Sequence, residues 1–414
     1  MNNISVKKLD CGVNVVLEKN DFVKSCAFGI FVKTGSINEK PEVYGVSHFI
    51  EHMLFKGTND MNAKEIAESF DKIGAQVNAY TSYEHTCYHV KSMSEYIFNA
   101  LDSLFKMLND SIFDEKELNR ERKVIFEEMK MTEDTPDELC HETVCDLTFS
   151  NTPYGHPIIG YEKSLNNLKS ADLIKYKENE YTKDSIVISI CGNFDEIKML
   201  DYLNGKFSKI KDNKEYAIDF DDNYIPKEKV IVKDIAQSHI CLANRGPKYD
   251  SFEKYKVAIL NDILGGSMSS RLFQNIREEK GLCYSVFSMM QSYQKTGIFE
   301  IYGGVSHKNI KAFINAVKEE FDNIRNNDIS KEEFDKAFIQ IKSGLVYASE
   351  NILSNMFLNG KSLLLTGTLQ TRDDNLQKLE KVELKDVNDF AKEFLNIDNF
   401  STAIVTGDKL LNVK

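Results

Sequence analysis

The spacing of apolar and polar positions along the chain predicts short β-strands and amphipathic helices in an order that occurs twice. Runs of apolar and β-branched residues bounded by turn residues predict strands, whereas apolar positions three and four residues apart predict helices. In the first half, strands are predicted at 14–17, 26–33, 76–81, 86–91 and 185–191, and helices at 46–55, 63–73, 95–110 and 114–132. In the second half, strands are predicted at 230–232, 240–242, 284–290, 298–302 and 402–406, and helices at 252–264, 270–279, 308–325 and 330–350.

Two pairs of segments support an internal repeat. Residues 185–193 (SIVISICGN) resemble residues 400–408 (FSTAIVTGD), and residues 113–118 resemble residues 329–334. Both pairs are separated by about half the chain, as a duplicated domain predicts, although generic α+β patterns are an alternative.

The fold expected from this pattern is α+β. It consists of two homologous α/β-sandwich domains, each an antiparallel sheet with helices packed on one face. The expected boundaries are 1–207 for an N-terminal domain, 208–227 for a polar linker and 228–414 for a C-terminal domain.

Composition and charge narrow the functional classes. Of the 414 residues, 42% are hydrophobic and 28% are charged, which is typical of globular domains with large cores. The formal net charge of −12 disfavours nucleic-acid binding, because phosphates would be repelled. No run of about 18 apolar residues predicts a membrane span, and no apolar signal core follows the N-terminus. We therefore expect a cytoplasmic protein with no nucleic-acid or membrane partner.

The eight cysteines form no Cys-x-x-Cys pair. Reduced, buried thiols are therefore expected, because a cysteine-ligated zinc site usually shows paired spacings in the sequence.

The predicted helix at 46–55 carries the residues with the clearest chemistry. His48, Glu51 and His52 stand there in the order His-x-x-Glu-His. Histidines four residues apart lie one turn apart on one helix face, so both imidazoles can bind one zinc ion at about 2.0–2.1 Å. Glu51 lies beside them and can act on a water molecule without binding the metal. A surface helix with two polar histidines is the alternative, but the mainly apolar neighbours of the motif disfavour it.

A catalytic zinc site commonly needs a third protein ligand, here from another segment. The predicted helix at 114–132 carries Glu121 and Glu128 on an otherwise apolar stripe. Glu128 could bind the metal, and Glu121, two turns earlier, could hydrogen-bond to a histidine ligand. Glu127 is a competing ligand, although it points about 100° away from Glu128. Without the histidine motif, an ordinary charged helix would be the expected interpretation.

These residues resemble those of the insulinase/pitrilysin family, most closely its mitochondrial and bacterial processing peptidase branch. The resemblance spans nearly the whole chain and includes residues 48–58 (HFIEHMLFKGT), which are similar to the family's signature helix. The family's third zinc ligand follows about 75 residues later and is preceded at seven residues by another glutamate, and Glu121 and Glu128 fit both spacings. The resemblance thus favours Glu128 over Glu127. It also implies a processing-peptidase-like metallohydrolase fold.

The resemblance implies one zinc ion (Zn2+) per chain, because the second half has no His-x-x-Glu-His. It also implies substrate contacts in the first half. Residues 74–82 (GAQVNAYTS) resemble the family's edge strand beside the active site, where substrate pairs as an added strand. Contacts to substrate are therefore implied for Asn78 and Ala79.

The second half contains a further resemblance. Residues 270–278 (SRLFQNIRE) and 281–285 (GLCYS) resemble the segment that supplies an arginine and a tyrosine to the substrate. This implies those roles for Arg277, which can hold a substrate carbonyl, and Tyr284, whose hydroxyl can stabilise a developing oxyanion. A helix-end arginine and a core tyrosine are the alternative.

The sequence therefore predicts a zinc metalloendopeptidase that hydrolyses peptides or unfolded, presequence-like segments inside a chamber between two half-domains. Glu51 is expected to take a proton from the attacking water and pass it to the leaving amine. By resemblance, a homodimer is expected. One alternative is a non-catalytic subunit of the same fold for peptide binding or assembly, although such subunits typically lose the zinc motif. The other is a zinc hydrolase of a different class acting on a small molecule.

Overall fold

The computed structural model describes residues 3–208, 210–211, 220 and 223–408. The chain divides into two compact units, each assembled from three segments. Unit 1 comprises Met1–Met129, His156–Ile218 and Tyr347–Thr371, and unit 2 comprises Lys130–Gly155, Asp219–Val346 and Arg372–Lys414.

The described residues form strands of five to ten residues. In chain order these are β1 (Asn3–Lys8), β2 (Asn14–Lys19), β3 (Ser25–Val32), β4 (Gln76–Thr81), β5 (Thr86–Met93), β6 (Ile186–Gly192), β7 (Glu228–Val232), β8 (Ser238–Gly246), β9 (Cys283–Ser292), β10 (Gly297–Val305) and β11 (Ser401–Thr406).

The α-helices vary more in length. In chain order these are α1 (Val46–Leu54), α2 (Ala63–Asp71), α3 (Ile97–Asp110), α4 (Glu115–Asp134), α5 (Pro136–Thr148), α6 (Glu162–Asn167), α7 (Ser170–Glu180), α8 (Glu196–Phe207), α9 (Glu253–Asn261), α10 (Ile310–Asn327), α11 (Lys331–Ser349), α12 (Ile352–Thr366), α13 (Arg372–Leu379) and α14 (Leu384–Phe394). Two π-helical segments, Asp262–Gly266 and Phe273–Glu279, lie between α9 and β9.

Unit 1 is built on a six-stranded sheet with the order β1-β2-β6-β3-β5-β4. The β2–β6 pair is parallel and the other pairs are antiparallel. Alternate residues of β3, such as Phe28 and Ile30, face a core that also contains Phe49 of α1 and Leu104 of α3. The other residues of β3 are buried as well, so this central strand reads as one continuous apolar run.

Helix α12 covers the second face of the unit 1 sheet, where it packs on β3 and β6. Its polar side chains satisfy a carboxylate on β2: Asn355 donates to Glu18 Oε1 at 3.0 Å and Asn359 donates to Oε2 at 2.7 Å. These two hydrogen bonds replace those to water that the carboxylate loses when it is buried.

Close contact between α12 and β3 depends on Gly360. A Cβ at this position would lie well within 3.0 Å of three ring atoms of Phe31. We expect Gly360→Ala to destabilise unit 1 by about 1–3 kcal/mol, because the packed ring has no space to retreat. The matched control is Gly205→Ala in α8, where a Cβ would meet nothing within 4 Å. That change should be neutral or stabilise by up to about 1 kcal/mol in urea unfolding. Equal stability of both variants would contradict this packing.

Unit 2 repeats the topology of unit 1. Its five-stranded sheet has the order β7-β11-β8-β10-β9, which corresponds to β2-β6-β3-β5-β4, and its β11–β7 pair is likewise parallel. One face supports a core that includes Leu242 of β8, Phe299 of β10 and Phe313 of α10. Helix α5 packs against β8 and β11. There, Cys140 donates to the carbonyl oxygen of Ala403, 3.3 Å away.

The predicted class of two α/β domains is confirmed. Each sheet is antiparallel except for one parallel pair of strands. Helices were predicted on one face of each sheet only, whereas α12 in unit 1 and α5 in unit 2 cover the second face as well. The boundaries at 207 and 228 stay a prediction, and within the expected linker residues 209, 212–219 and 221–222 lie outside the described residues. No helix within the described ranges is long and apolar enough to cross a membrane.

Candidate metal centre

The His-x-x-Glu-His segment forms helix α1 in unit 1. Its apolar side chains, Val46, Phe49, Ile50, Met53 and Leu54, are buried in the core. This leaves His48, Glu51 and His52 only partly buried. The amphipathic pattern therefore anchors one side of the helix and presents the three polar side chains on the other.

The buried side chain of Glu39 holds the start of α1. Glu39 accepts hydrogen bonds from the backbone N–H groups of Gly45, at 2.6 Å, and Ser47, at 2.7 Å. Burial raises the pKa of Glu39 to about 8, although both backbone hydrogen bonds act to lower it. The carboxyl group satisfies donors that the first helical turn leaves unpaired. Sequence reasoning assigned Glu39 no role, because its bonds depend on a sharp turn at Gly45, which has a φ of 91°.

The side chain of Glu128 on α4 meets the two histidines of α1. Its Oε2 atom lies 4.0 Å from His48 Nε2 and 3.6 Å from His52 Nε2. The possible ligand atoms of the three residues all lie within 4.8 Å of one another. Ligands of a tetrahedral zinc ion at 2.0–2.1 Å would be about 3.3–3.4 Å apart, so small side-chain movements suffice to close this set on an ion.

The state of His48 also fits a metal. Burial, together with the neighbouring His52, lowers the pKa of His48 to about 3. The imidazole is therefore neutral at physiological pH, as metal binding requires. Its buried Nδ1 atom has no hydrogen-bond partner among the described residues, which leaves Nε2, facing Glu128, as the nitrogen with a polar neighbour.

Glu121 orients His52. Its Oε1 atom lies 2.8 Å from His52 Nδ1, and its Oε2 atom lies 2.8 Å from Lys56 Nζ. Burial acts to raise the pKa of Glu121, but the hydrogen bonds from His52 and Lys56 outweigh it and hold the pKa below its usual value. An ionised Glu121 accepts a hydrogen bond from the Nδ1–H of His52, which leaves the Nε2 lone pair of His52 available to a metal. No role was predicted for Lys56, which lies four residues after His52 and beyond the last residue of α1.

Glu51 is held by a strand of the same unit. Its Oε2 atom accepts a hydrogen bond from the Thr81 hydroxyl at 2.6 Å. Burial raises the pKa of Glu51, and the Thr81 hydrogen bond opposes this effect. A carboxylate with a raised pKa is a stronger base than an exposed one, which suits proton transfer near neutral pH. Sequence reasoning missed Thr81, which lies two residues after Ala79 and so on the same face of β4.

The predicted substrate-binding residues Asn78 and Ala79 lie in β4, which is an edge strand of the unit 1 sheet. The N–H of Ala79 donates to the side-chain oxygen of Asn78 at 2.9 Å. An added peptide strand would need such N–H groups, so the Asn78 amide would have to turn aside for pairing at this position. Substrate contact by these two residues stays a prediction.

The other predicted site residues, Arg277 and Tyr284, lie in unit 2. The Arg277 guanidinium is 4.5 Å from the ring centre of Phe273 and 5.2 Å from that of Tyr284. The side chain of Tyr284 is 81% exposed, so it is not the core tyrosine of the alternative interpretation. The roles predicted for this pair in catalysis stay predictions.

Two family models match this chain. Residues 14–162 match the family described as insulinase (peptidase family M16), and residues 167–341 match the peptidase M16 inactive domain. The chain belongs to peptidase family M16. The insulinase match contains the helix with His48, Glu51 and His52, and it also contains Glu128. The inactive-domain match, at residues 167–341, contains no His-x-x-Glu-His motif.

The chain also resembles relatives over nearly their whole lengths. The chain is 39% identical over 406 residues to the uncharacterized zinc protease YmxG of Bacillus subtilis strain 168, covering 97% of this chain and 98% of the relative. It is 32% identical to an uncharacterized zinc protease of Rickettsia felis, covering 98% of each chain.

Solved structures share the fold of this M16 chain. A peptidase M16 inactive domain from Pseudomonas fluorescens superposes with a TM-score of 0.91 at 19% identity, covering 99% of each chain. A protease from Helicobacter pylori superposes with a TM-score of 0.88 at 22% identity, covering 98% of this chain and 99% of the other. These likenesses establish the fold alone.

Proposed function

We propose that this M16 family member is a zinc metalloendopeptidase that hydrolyses peptides or unfolded polypeptide segments. The observation that carries the proposal is the meeting of His48 Nε2, His52 Nε2 and Glu128 Oε2 beside the carboxylate of Glu51. Two imidazole nitrogens and one carboxylate are a common ligand set for catalytic zinc. The zinc protease names of the relatives support the same conclusion.

The chain's own residues then divide the chemistry. His48, His52 and Glu128 would hold the zinc ion, which supplies Lewis acidity toward the scissile carbonyl and toward water. Glu51 takes a proton from the attacking water and later delivers it to the leaving amine. Thr81 keeps the Glu51 carboxylate in place through its 2.6 Å hydrogen bond. Glu121 accepts a hydrogen bond from His52 Nδ1, so the proton of the imidazole stays on Nδ1 and Nε2 is left to bind the metal.

The remaining assignments of the proposal rest on resemblance to the family. Asn78 and Ala79 at the edge of β4 pair with the substrate backbone, while Arg277 and Tyr284 hold the substrate carbonyl and the developing oxyanion. Cleavage of presequence-like segments in a chamber, a homodimeric assembly and a cytoplasmic location belong to the same proposal.

Metal removal tests the proposal directly. The purified protein should contain about one zinc ion per chain at its histidine site and should cleave an unstructured, internally quenched peptide. Dialysis against a chelator should reduce cleavage to background, because the carbonyl is then no longer polarised, and added Zn2+ should restore it. Cleavage that survives complete removal of zinc, or zinc-loaded protein that cleaves no extended peptide in a diverse mixture, would overturn the peptidase assignment.

A further inference from the structure

A second group of side chains suited to metal binding lies within unit 2, on the face of the sheet that α5 covers. Cys241 of β8 stands opposite Tyr302 of β10. Glu300 precedes Tyr302 by two residues, so Cys241 and Glu300 point to the same face. His141 reaches this face from α5, which packs against β8 and β10.

The distances within this group suit a shared ion. His141 Nδ1 lies 3.6 Å from Cys241 Sγ and 2.6 Å from Glu300 Oε1. The three possible ligand atoms all lie within 4.8 Å of one another. In a tetrahedral zinc site a nitrogen and a sulfur ligand are about 3.5 Å apart, which matches the first distance. The nitrogen–oxygen pair would open by about 0.7 Å to admit the ion, a change within the range of small χ rotations.

Burial and packing prepare the three side chains for binding. Cys241 is fully buried and Glu300 is 1% exposed. A carboxylate so deeply buried costs free energy unless a cation or a hydrogen-bond donor compensates it. The ring of His141 stacks on Tyr302 with centres 5.0 Å apart, which restricts its orientation. Its side chain is 26% exposed, so an ion can enter from that side within unit 2.

Metal binding by these residues uses the thiolate of Cys241 and the neutral imidazole of His141. An ion bound here would therefore displace the thiol proton and any proton held between His141 Nδ1 and Glu300 Oε1, which lie 2.6 Å apart.

We propose that His141, Cys241 and Glu300 form a second metal site, which takes a divalent transition-metal ion of the zinc class. The combination of sulfur, nitrogen and oxygen donors favours zinc or cobalt over magnesium or calcium, which prefer oxygen alone. The ion joins α5 to β8 and β10, so its role is to stabilise unit 2. This site is independent of the proposed peptidase chemistry, because it shares no residue with the His48–His52–Glu128 centre.

Cobalt is the probe that separates the two centres. The full-length Glu128→Gln protein is freed of metal and titrated with Co2+ under reducing conditions while the ultraviolet–visible spectrum is recorded. A thiolate-to-cobalt charge-transfer band is expected from the Cys241 site. The His48–His52–Glu128 centre has no sulfur ligand and contributes no such band. Cobalt that binds without a charge-transfer band, or fails to bind in unit 2, would overturn the proposal and leave His141–Glu300 as a hydrogen-bonded pair.

Three substitutions in the same background complete the test. Cys241→Ser and His141→Gln should each abolish the charge-transfer band, whereas Cys283→Ser, the matched control in unit 2, should retain it. Cys241 is fully buried, so Cys241→Ser can fail to fold. His141 is partly exposed, so His141→Gln should fold and still tests the site. Zn2+ should raise the unfolding temperature of the parent but not of His141→Gln, because only the parent gains binding free energy in unit 2. A band that persists in Cys241→Ser would place the cobalt on another thiol and overturn the assignment.

Discussion

Glu51→Gln should reduce peptide cleavage by roughly 10²–10⁴-fold, the usual contribution of a positioned general base. Glutamine preserves the shape of the side chain and can still accept the hydrogen bond that Thr81 donates at 2.6 Å. It has no carboxylate to take the proton of the attacking water. Since Glu51 is not among the three residues whose ligand atoms converge, the zinc content should equal that of the wild type.

The measurement pairs initial cleavage rates of a quenched peptide with zinc content by mass spectrometry. The matched control is Glu68→Gln on α2, where the lost charge only contacts Lys64 and Lys72 at the surface. Its activity should stay close to that of the wild type, because surface ion pairs contribute little. Equal cleavage by wild type and Glu51→Gln, at equal zinc content, would show that Glu51 is not the base.

The second large effect is expected for Glu128→Gln, which should weaken zinc binding by more than about 100-fold. Loss of an orienting partner of a ligand typically costs 10–100-fold, and loss of a ligand should cost more. Glu127→Gln removes the same charge one position earlier on α4. The Glu127 side chain is exposed and is not among the three residues with converging ligand atoms. Its substitution should therefore change zinc affinity little.

Competition with a chromophoric chelator measures these affinities in the metal-free proteins. Glu121→Gln should fall between the two variants, because it loses the ionised partner of His52 Nδ1 but keeps all three ligands. Stronger zinc loss in Glu127→Gln than in Glu128→Gln would mean that the ligand was assigned wrongly.

Ten of the described strands and about half of the described α-helices could be predicted from local sequence patterns. The predicted helix at 46–55 corresponds to α1 (Val46–Leu54), and the strand predicted at 76–81 is β4 (Gln76–Thr81). These elements follow from the spacing of apolar side chains, which the backbone geometry of helices and strands converts into one buried face. No helix was predicted at the positions of α5 or α12, whose packing on the sheets joins segments distant in sequence.

Some residues of the candidate site could be predicted from the sequence, and others could not. His48, Glu51 and His52 share one helical face as a direct result of their spacing, and family resemblance selected Glu128 over Glu127. The contacts of Glu39, Lys56 and Thr81 carry no comparable local signal. Thr81 meets Glu51 across 30 positions of sequence, and His52 meets Glu121 across 69. Such pairs depend on how α1, β4 and α4 pack, which periodicity does not specify.

The sequence by itself determined the alternation of strands and helices, the duplicated order, the two histidines and the glutamate on one helix, and through resemblance the family. Only the tertiary structure decided that Glu128 reaches both histidines, that Glu121 is shared by His52 and Lys56, and that Cys241 lies beside His141 and Glu300. The physical reason is that helix and strand periodicity are local properties of the backbone. Metal ligands and buried carboxylates, by contrast, gain their partners only when distant segments pack together and exclude water.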